Sequence, residues 1–288
     1  MGDGTPPGHA GEIASGKRFE FGENWRDFLA RLDEKRIHEA HRSLGELLGN
    51  DSLRGKRFLD IGSGSGLFSL AAMRWGAERV CSFDYDPQSV ACTSELRRRY
   101  FPDDPRWTVI EGSVLDEAFL ASLGKHDVVY AWGVLHHTGD MWRAIGNALS
   151  LVKPGGQIAL AIYNDQGWKS KIWLRVKKLY CLTPGPMRSV LFLPIPLFYE
   201  MKWMIGDFIR GKVPFAKWRK RSGRGMNPWH DWIDWLGGYP FEVAKPEEVF
   251  EFIRDRGFQL TKLVTSQGGW GNNEFVFRSP ETGGAESA

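Results

Sequence analysis

One stretch constrains the fold of this chain more than any other: Phe58-Leu59-Asp60-Ile61-Gly62-Ser63-Gly64-Ser65-Gly66. Apolar residues lead into an acid, glycines follow at alternate positions, and an apolar helix-like run continues from Leu67 to Ala72. Glycines spaced this way let a strand turn sharply into a helix and let a ligand lie against bare backbone. The dinucleotide pattern G-x-G-x-x-G/A fails, because Leu67 stands where a small residue should let helix and strand pack closely. A second strand-like run, Arg79 to Asp84, ends in another carboxylate. An acid there can accept hydrogen bonds from both hydroxyls of a ribose. Taken alone, Asp84 and Asp86 could simply form a turn with Pro87. The glycine loop at the matching distance favours the ligand.

With these residues in view, the chain resembles the class I S-adenosylmethionine (SAM) methyltransferases, whose loop has the form acid-x-G-x-G-x-G. The resemblance covers roughly 55–164 and 245–279. It implies S-adenosyl-L-methionine as cofactor, S-adenosyl-L-homocysteine (SAH) as product, and Asp60, Gly62, Ser63, Gly64, Gly66, Asp84 and Tyr85 at the cofactor. Ser113 and Val114 match the positions beside the adenine, and Trp132, at the end of the fourth strand, joins the same set.

Periodicity supports the fold that this implies. Strand candidates at 57–61, 79–84, 107–111, 127–132 and 157–163 alternate with helical runs at 67–75, 88–99, 115–123 and 141–151. Lys153-Pro154-Gly155-Gly156 marks a turn before the fifth strand. After a long interruption, Pro246 and the acids behind it open a helix, followed by strands near 258–265 and 274–278. The expectation is a doubly wound α/β fold. Its seven-stranded, mostly parallel sheet has a C-terminal antiparallel hairpin and a helical, aromatic insertion after strand 5. The divisions are a disordered head over 1–17, a helical cap over 18–54, the core over 55–164, an insertion or lid over 165–244, the end of the core over 245–279 and a disordered tail over 280–288.

Chemistry is expected at the carboxyl ends of the strands. Strand 4 runs into Gly133-Val134-Leu135-His136-His137. A histidine there can take a proton from a hydroxyl, phenol or thiol, so His137 is the first candidate base, with His136 and His230 behind it. Methyl transfer needs mostly positioning and desolvation, so a base is optional. Tyr163 and Asn164 close strand 5. With Trp25, Trp229 and Trp232 they are the expected acceptor contacts, although the aromatic group around His230 and Asp231 could equally be a packed cap. No metal is expected. Some ubiquinone-pathway O-methyltransferases carry acids where Gly133 and His136 stand here, and paired histidines suit a hard cation poorly.

Charge sets the insertion apart. Segment 165–224 carries 14 Lys/Arg against 3 Asp/Glu, among them Lys177, Lys178, Arg219 and Lys220, in a chain whose total is only +3. Its apolar run at 190–198 is too short and too proline-broken to span a bilayer. A basic segment rich in Trp and Phe suits a lid that also contacts an anionic membrane surface. Nucleic acid is disfavoured, because the cations sit among aliphatics. Three unpatterned cysteines and a Gly/Pro-rich start without a signal segment point to a cytoplasmic protein, peripheral at the membrane. The expected activity is methyl transfer, most readily to oxygen, on a small, lipophilic or lipid-linked acceptor. The alternatives are an RNA methyltransferase using the basic insertion and a non-catalytic SAM-binding scaffold.

Overall fold

The computed structural model describes residues 8–30, 32–49, 52–209, 211, 232 and 235–281. Its centre is a seven-stranded sheet in the order β3-β2-β1-β4-β5-β7-β6. The strands are β1 (Arg57–Ile61), β2 (Arg79–Asp84), β3 (Trp107–Glu111), β4 (His126–Trp132), β5 (Val152–Tyr163), β6 (Gln259–Val264) and β7 (Asn272–Arg278). β1 to β5 pair in parallel, and β7 inserts antiparallel between β5 and β6. The expected fold, including the terminal hairpin, is present.

Alternation along the strands builds two cores. Leu59, Ile61, Val129, Ala131, Ile158, Leu160, Phe275 and Phe277 face α6 (Glu117–Leu123), α7 (Met141–Ser150) and α11 (Pro246–Arg254). Phe58, Val128, Tyr130, Ala159 and Val276 face the other way. There they meet α3 (Glu34–Leu48), α4 (Leu67–Arg74) and α5 (Pro87–Tyr100). Asp33, Asp86 and Asp116 start α3, α5 and α6 by accepting a backbone N–H of the first turn. The turn expected before β5 lies inside it. Pairing jumps from His126↔Val152 to Val128↔Gln157, so Lys153–Gly156 bulge out of register.

One expectation needs amendment: the head does not lack structure throughout, because α1 spans His9–Ala14. Just beyond the head, Arg18 donates to the carbonyl of His137 at 3.0 Å. The cap is two helices, α2 (Gly22–Ala30) and α3. Most of the tail, 282–288, lies outside the described residues.

The insertion contributes α8 (Trp168–Leu182), α9 (Gly185–Phe192) and α10 (Pro194–Ile209). A third core fixes them to the N-terminal segment: Phe19, Trp173, Tyr180, Cys181, Phe192 and Leu236. Of the neighbouring cations expected at its surface, Lys178 is exposed, whereas Lys177 is 2% exposed and donates to the carbonyl of Trp235. Arg219 and Lys220 lie outside the described residues. No described helix is long and apolar enough to cross a membrane.

β7 is where the late part of the chain completes the early core. Phe277→Ala is therefore expected to cost about 3–5 kcal/mol of unfolding free energy, the range for emptying a buried aromatic site. Urea denaturation of the two proteins measures the difference.

Candidate active site

The glycine loop is built by steric exclusion. Gly62, Gly64 and Gly66 all have positive φ, at 69°, 54° and 77°, where side chains are strained. None has room for a Cβ. One on Gly62 would collide with Val134, one on Gly64 would lie 2.9 Å from the Trp25 indole, and one on Gly66 would lie 2.9 Å from Thr93. The loop is pinned beneath by Gly62 N–H and Ser63 N–H, both donating to the carbonyl of Phe83. On α5, Thr93 Oγ1 meets Ser63 Oγ at 2.9 Å and donates to the Gly64 carbonyl at 3.1 Å. Thr93, Val134 and Phe119, whose ring fills the space a Cβ on Gly112 would need, were not singled out from sequence. They sit in ordinary helical or apolar runs and carry no signal there.

The two acids have different surroundings. Asp60 lies under α4, where Ser69 donates to its carboxylate at 2.5 Å. Ser82 sits 2.6 Å from Ser69 and accepts from the Trp107 indole at 2.8 Å. This buried chain anchors the loop from below. Burial pushes the Asp60 carboxyl up to about 7, the Ser69 hydroxyl opposing and Asp84 adding. Asp84 stands at the mouth. One oxygen accepts from Gly64 N–H at 2.9 Å and the other from Asp86 N–H at 3.0 Å. Its carboxyl is pushed up to about 6, chiefly by desolvation, although the side chain keeps some solvent contact.

The N-terminal segment closes over this mouth. Gly22 N–H donates to Asp86 at 2.7 Å, His9 meets the Tyr85 ring edge-on at 5.3 Å, and Arg18 lies 4.9 Å above it. Trp25 thus covers the glycine loop, where an acceptor contact was expected. Ser113 accepts from Leu115 N–H, while Val114 turns its side chain into the core. Trp132 is 39% exposed and donates to Glu274 at 3.2 Å, across β5.

Beyond Val134, the paired histidines share one aromatic nest with different fates. His136 is fully buried, its ring 4.0 Å from that of Tyr163 and 4.4 Å from that of His137, with neither nitrogen in a hydrogen bond. Burial drives its pKa well down. His137 meets the Pro240 carbonyl through Nδ1 at 2.7 Å, which makes Nδ1 the donor and leaves Nε2 as the lone-pair nitrogen. Burial takes it down to about 3, against the opposing pull of the Pro240 carbonyl, so it is neutral at physiological pH. Phe21 and Tyr163 flank it at 5.0 and 5.4 Å.

Other expected acceptor contacts are used differently. Asn164 ties the end of β5 to the β6–β7 turn, donating to Gly269 and accepting from Asn273, both at 3.1 Å. Trp232 donates to Glu200 and stacks with Trp203 inside the lid, as a packed cap would. Trp229 and His230 lie outside the described residues. Among the described residues there is no cluster of three or more His, Cys, Asp or Glu that could hold a metal ion.

A family model described as a methyltransferase domain matches residues 32–185. The chain belongs to that family. Curated relatives of this methyltransferase include a tRNA U34 carboxymethyltransferase from Methylococcus capsulatus, 27% identical over 50% of this chain and 42% of the relative. Another is a ubiquinone biosynthesis O-methyltransferase from Rhodopseudomonas palustris, 33% identical over 41% of this chain and 44% of that one. The chain thus spans less than half the length of these relatives. Among solved structures, magnesium protoporphyrin IX methyltransferase from Synechocystis PCC 6803 with bound SAH superposes with a TM-score of 0.52 at 14% identity. That match covers 89% of this chain and 93% of the other. The N-methyltransferase NodS from Bradyrhizobium japonicum WM9, complexed with SAH, scores 0.50 at 16% identity over 91% and 100%. The cofactor of the methyltransferase is SAM.

The loop fits such a ligand: its backbone is bare, its collisions exclude side chains, and the Asp84 carboxylate at its mouth can accept from the ribose hydroxyls. Asp84→Asn is expected to weaken SAH binding by about 1.5–3 kcal/mol, the worth of hydrogen bonds to a charged acceptor. Gly62→Val is expected to abolish SAH binding and to lower the thermal midpoint read by circular dichroism, because it drives Val134 off the loop. The pH dependence has a definite sign. Ribose hydroxyls bind the ionised carboxylate, and the free Asp84 carboxyl stays protonated up to about 6. SAH affinity should therefore rise from pH 5 to pH 7, with proton release on binding in the acidic part of that window. Titration calorimetry in two buffers of different ionisation enthalpy reads both.

Proposed function

We propose that this methyltransferase O-methylates a small, lipophilic acceptor through an acidic hydroxyl, with His137 as the base that receives its proton. The observation that carries the reading is the tautomer of His137. Its Nδ1–H is committed to Pro240, so Nε2 offers a lone pair within an aromatic enclosure of Phe21 and Tyr163. Phe241, 5.5 Å from Tyr163, extends that enclosure. The apolar lining favours an apolar acceptor, and water excluded from it strengthens every polar contact inside.

SAM supplies the methyl group on a sulfonium, which becomes a neutral thioether as the acceptor oxygen takes the methyl. The chain's own residues do the rest. Gly62–Gly66 and Asp84 hold the donor in line, a positioning term that alone can be large. Val134, packed against Gly62, carries the strand-4 turn and hence His137 to the same end of the sheet. The hydroxyl proton passes to Nε2 of His137, so the positive charge is conserved within the site. A base held near pKa 3 takes a proton readily only from an acidic hydroxyl. That favours phenols and enols over alkyl alcohols; a carboxylic acid, ionised at neutral pH, has no proton to transfer. His136 has no such access and serves as packing.

A second reading, an RNA acceptor, draws on the tRNA-directed relatives. Its signature would be RNA affinity that falls steeply with salt. A scaffold would bind SAH and turn over nothing. Labelled SAM incubated with lipid-soluble and aqueous extracts distinguishes the three, and O-methyl ether product in the lipid-soluble fraction is expected. His137→Gln should lower kcat by about 10²–10⁴-fold and leave SAH affinity nearly unchanged, as for loss of a general base. Full-rate turnover by that variant would remove His137 from the chemistry.

A further inference from the structure

The lid has two unlike faces. On α8, Trp173, Lys177, Tyr180 and Cys181 recur at helical spacing and are buried, while Trp168, Ile172, Leu179 and Leu182 are exposed on the opposite side. α10 likewise exposes Leu197, Met201, Ile205 and Phe208, the last at 76%, with Ile209 at 77%. Most exposed large apolar side chains of the described residues fall between Trp168 and Ile209. Isolated surface leucines are ordinary, but exposed apolar side chains recurring along three successive helices mark a contact surface.

Charge selects the partner. Lys169, Lys171, Arg175 and Lys178 on α8 and Lys202 on α10 are exposed among these apolar groups. The two acids of the same helices are withdrawn: Asp207 is buried and Glu200 accepts from the Trp232 indole. A second copy of the chain would bring two basic faces together across a two-fold axis, at a repulsive cost. Nucleic acid would satisfy the cations and leave the apolar side chains in water. An anionic bilayer satisfies both, because long cationic side chains reach headgroups while Trp, Phe and Leu settle below them.

We infer that the outer face of α8–α10 docks on an anionic lipid surface, from which the acceptor enters the site beneath the lid. The distance is short: one helix separates the two. From the inner side of α8, Lys177 lies 4.9 Å over Phe241, Phe241 lies 5.5 Å from Tyr163, and Tyr163 adjoins His136. Docking rests on the surface alone. Entry of the acceptor from the bilayer rests on the function proposed above.

The test is cosedimentation of the full chain with vesicles of phosphatidylcholine, with and without one-third phosphatidylglycerol. Binding to the anionic vesicles at least about tenfold tighter than to the neutral ones is expected, since each cation near the surface adds attraction. It should weaken as salt shortens the Debye length from about 10 Å at 0.1 M to about 3 Å at 1 M. A variant with Lys169→Gln, Lys171→Gln, Arg175→Gln and Lys178→Gln should lose at least about tenfold, and Phe208→Ser with Ile209→Ser should also weaken binding. SAH calorimetry on each variant verifies that the core is intact. Absence of vesicle binding by SAH-competent parent protein would overturn docking, as would binding indifferent to headgroup charge, salt and both variants. So would a dimer in light scattering that the Phe208/Ile209 variant dissociates. Vesicle binding without any lipid-soluble O-methyl product would leave docking standing and remove the proposed acceptor.

Discussion

The close approach of backbone to its neighbours at Gly62, Gly64 and Gly66 is the constraint on which the rest depends. Each glycine has a conformation that side chains resist, and each abuts a different element: Val134 after β4, Trp25 of α2 and Thr93 of α5. The loop is therefore a junction as well as a ligand cradle. It holds the N-terminal cap, the second helical layer and the strand-4 turn against one another at the carboxyl edge of the sheet. A side chain at any of the three would separate parts that must meet.

Electrostatics around that junction have a direction. Two carboxyls, Asp60 and Asp84, are raised by burial, and the histidines beyond them are held neutral. Removed from water, Asp84 gains most from ligand groups that donate to its ionised form, as ribose hydroxyls do. On the histidine side the imidazoles are neutral and walled by rings, with the cations Arg18 and Lys177 at the edge, a setting for an apolar group with one acidic proton. The same sheet edge thus presents the Asp84 mouth and an aromatic nest, with the glycine loop and Val134 between them.

Much of this was legible in the sequence because it depends on local rules. Strand and helix periodicity, glycine spacing and the acid ending β2 each report on their own segment, and the sheet follows from their order. What was not legible depends on contacts between distant segments. Trp25 reads as an acceptor contact, and only the fold brings it onto Gly64. Asn164 reads as a ligand-side residue, yet Gly269 and Asn273 use both of its ends. Lys177 and Lys178 are adjacent and chemically identical, but helical phase buries the first and exposes the second. The tautomer of His137 depends on Pro240, 103 residues further along the chain, near the end of the lid. The 1–17 segment reads as unstructured by composition, yet His9–Ala14 forms a helix beside Tyr85 and Asp86.

Amide hydrogen exchange with and without SAH tests the central claim most directly, because it locates binding without requiring the acceptor. The account predicts slower exchange in the glycine loop and in the turn at 84–86. It also predicts slower exchange in α2, whose Trp25 covers the loop, with β6 and β7 unchanged. Protection that spares 62–66, or that appears mainly in the β6–β7 hairpin, would contradict it.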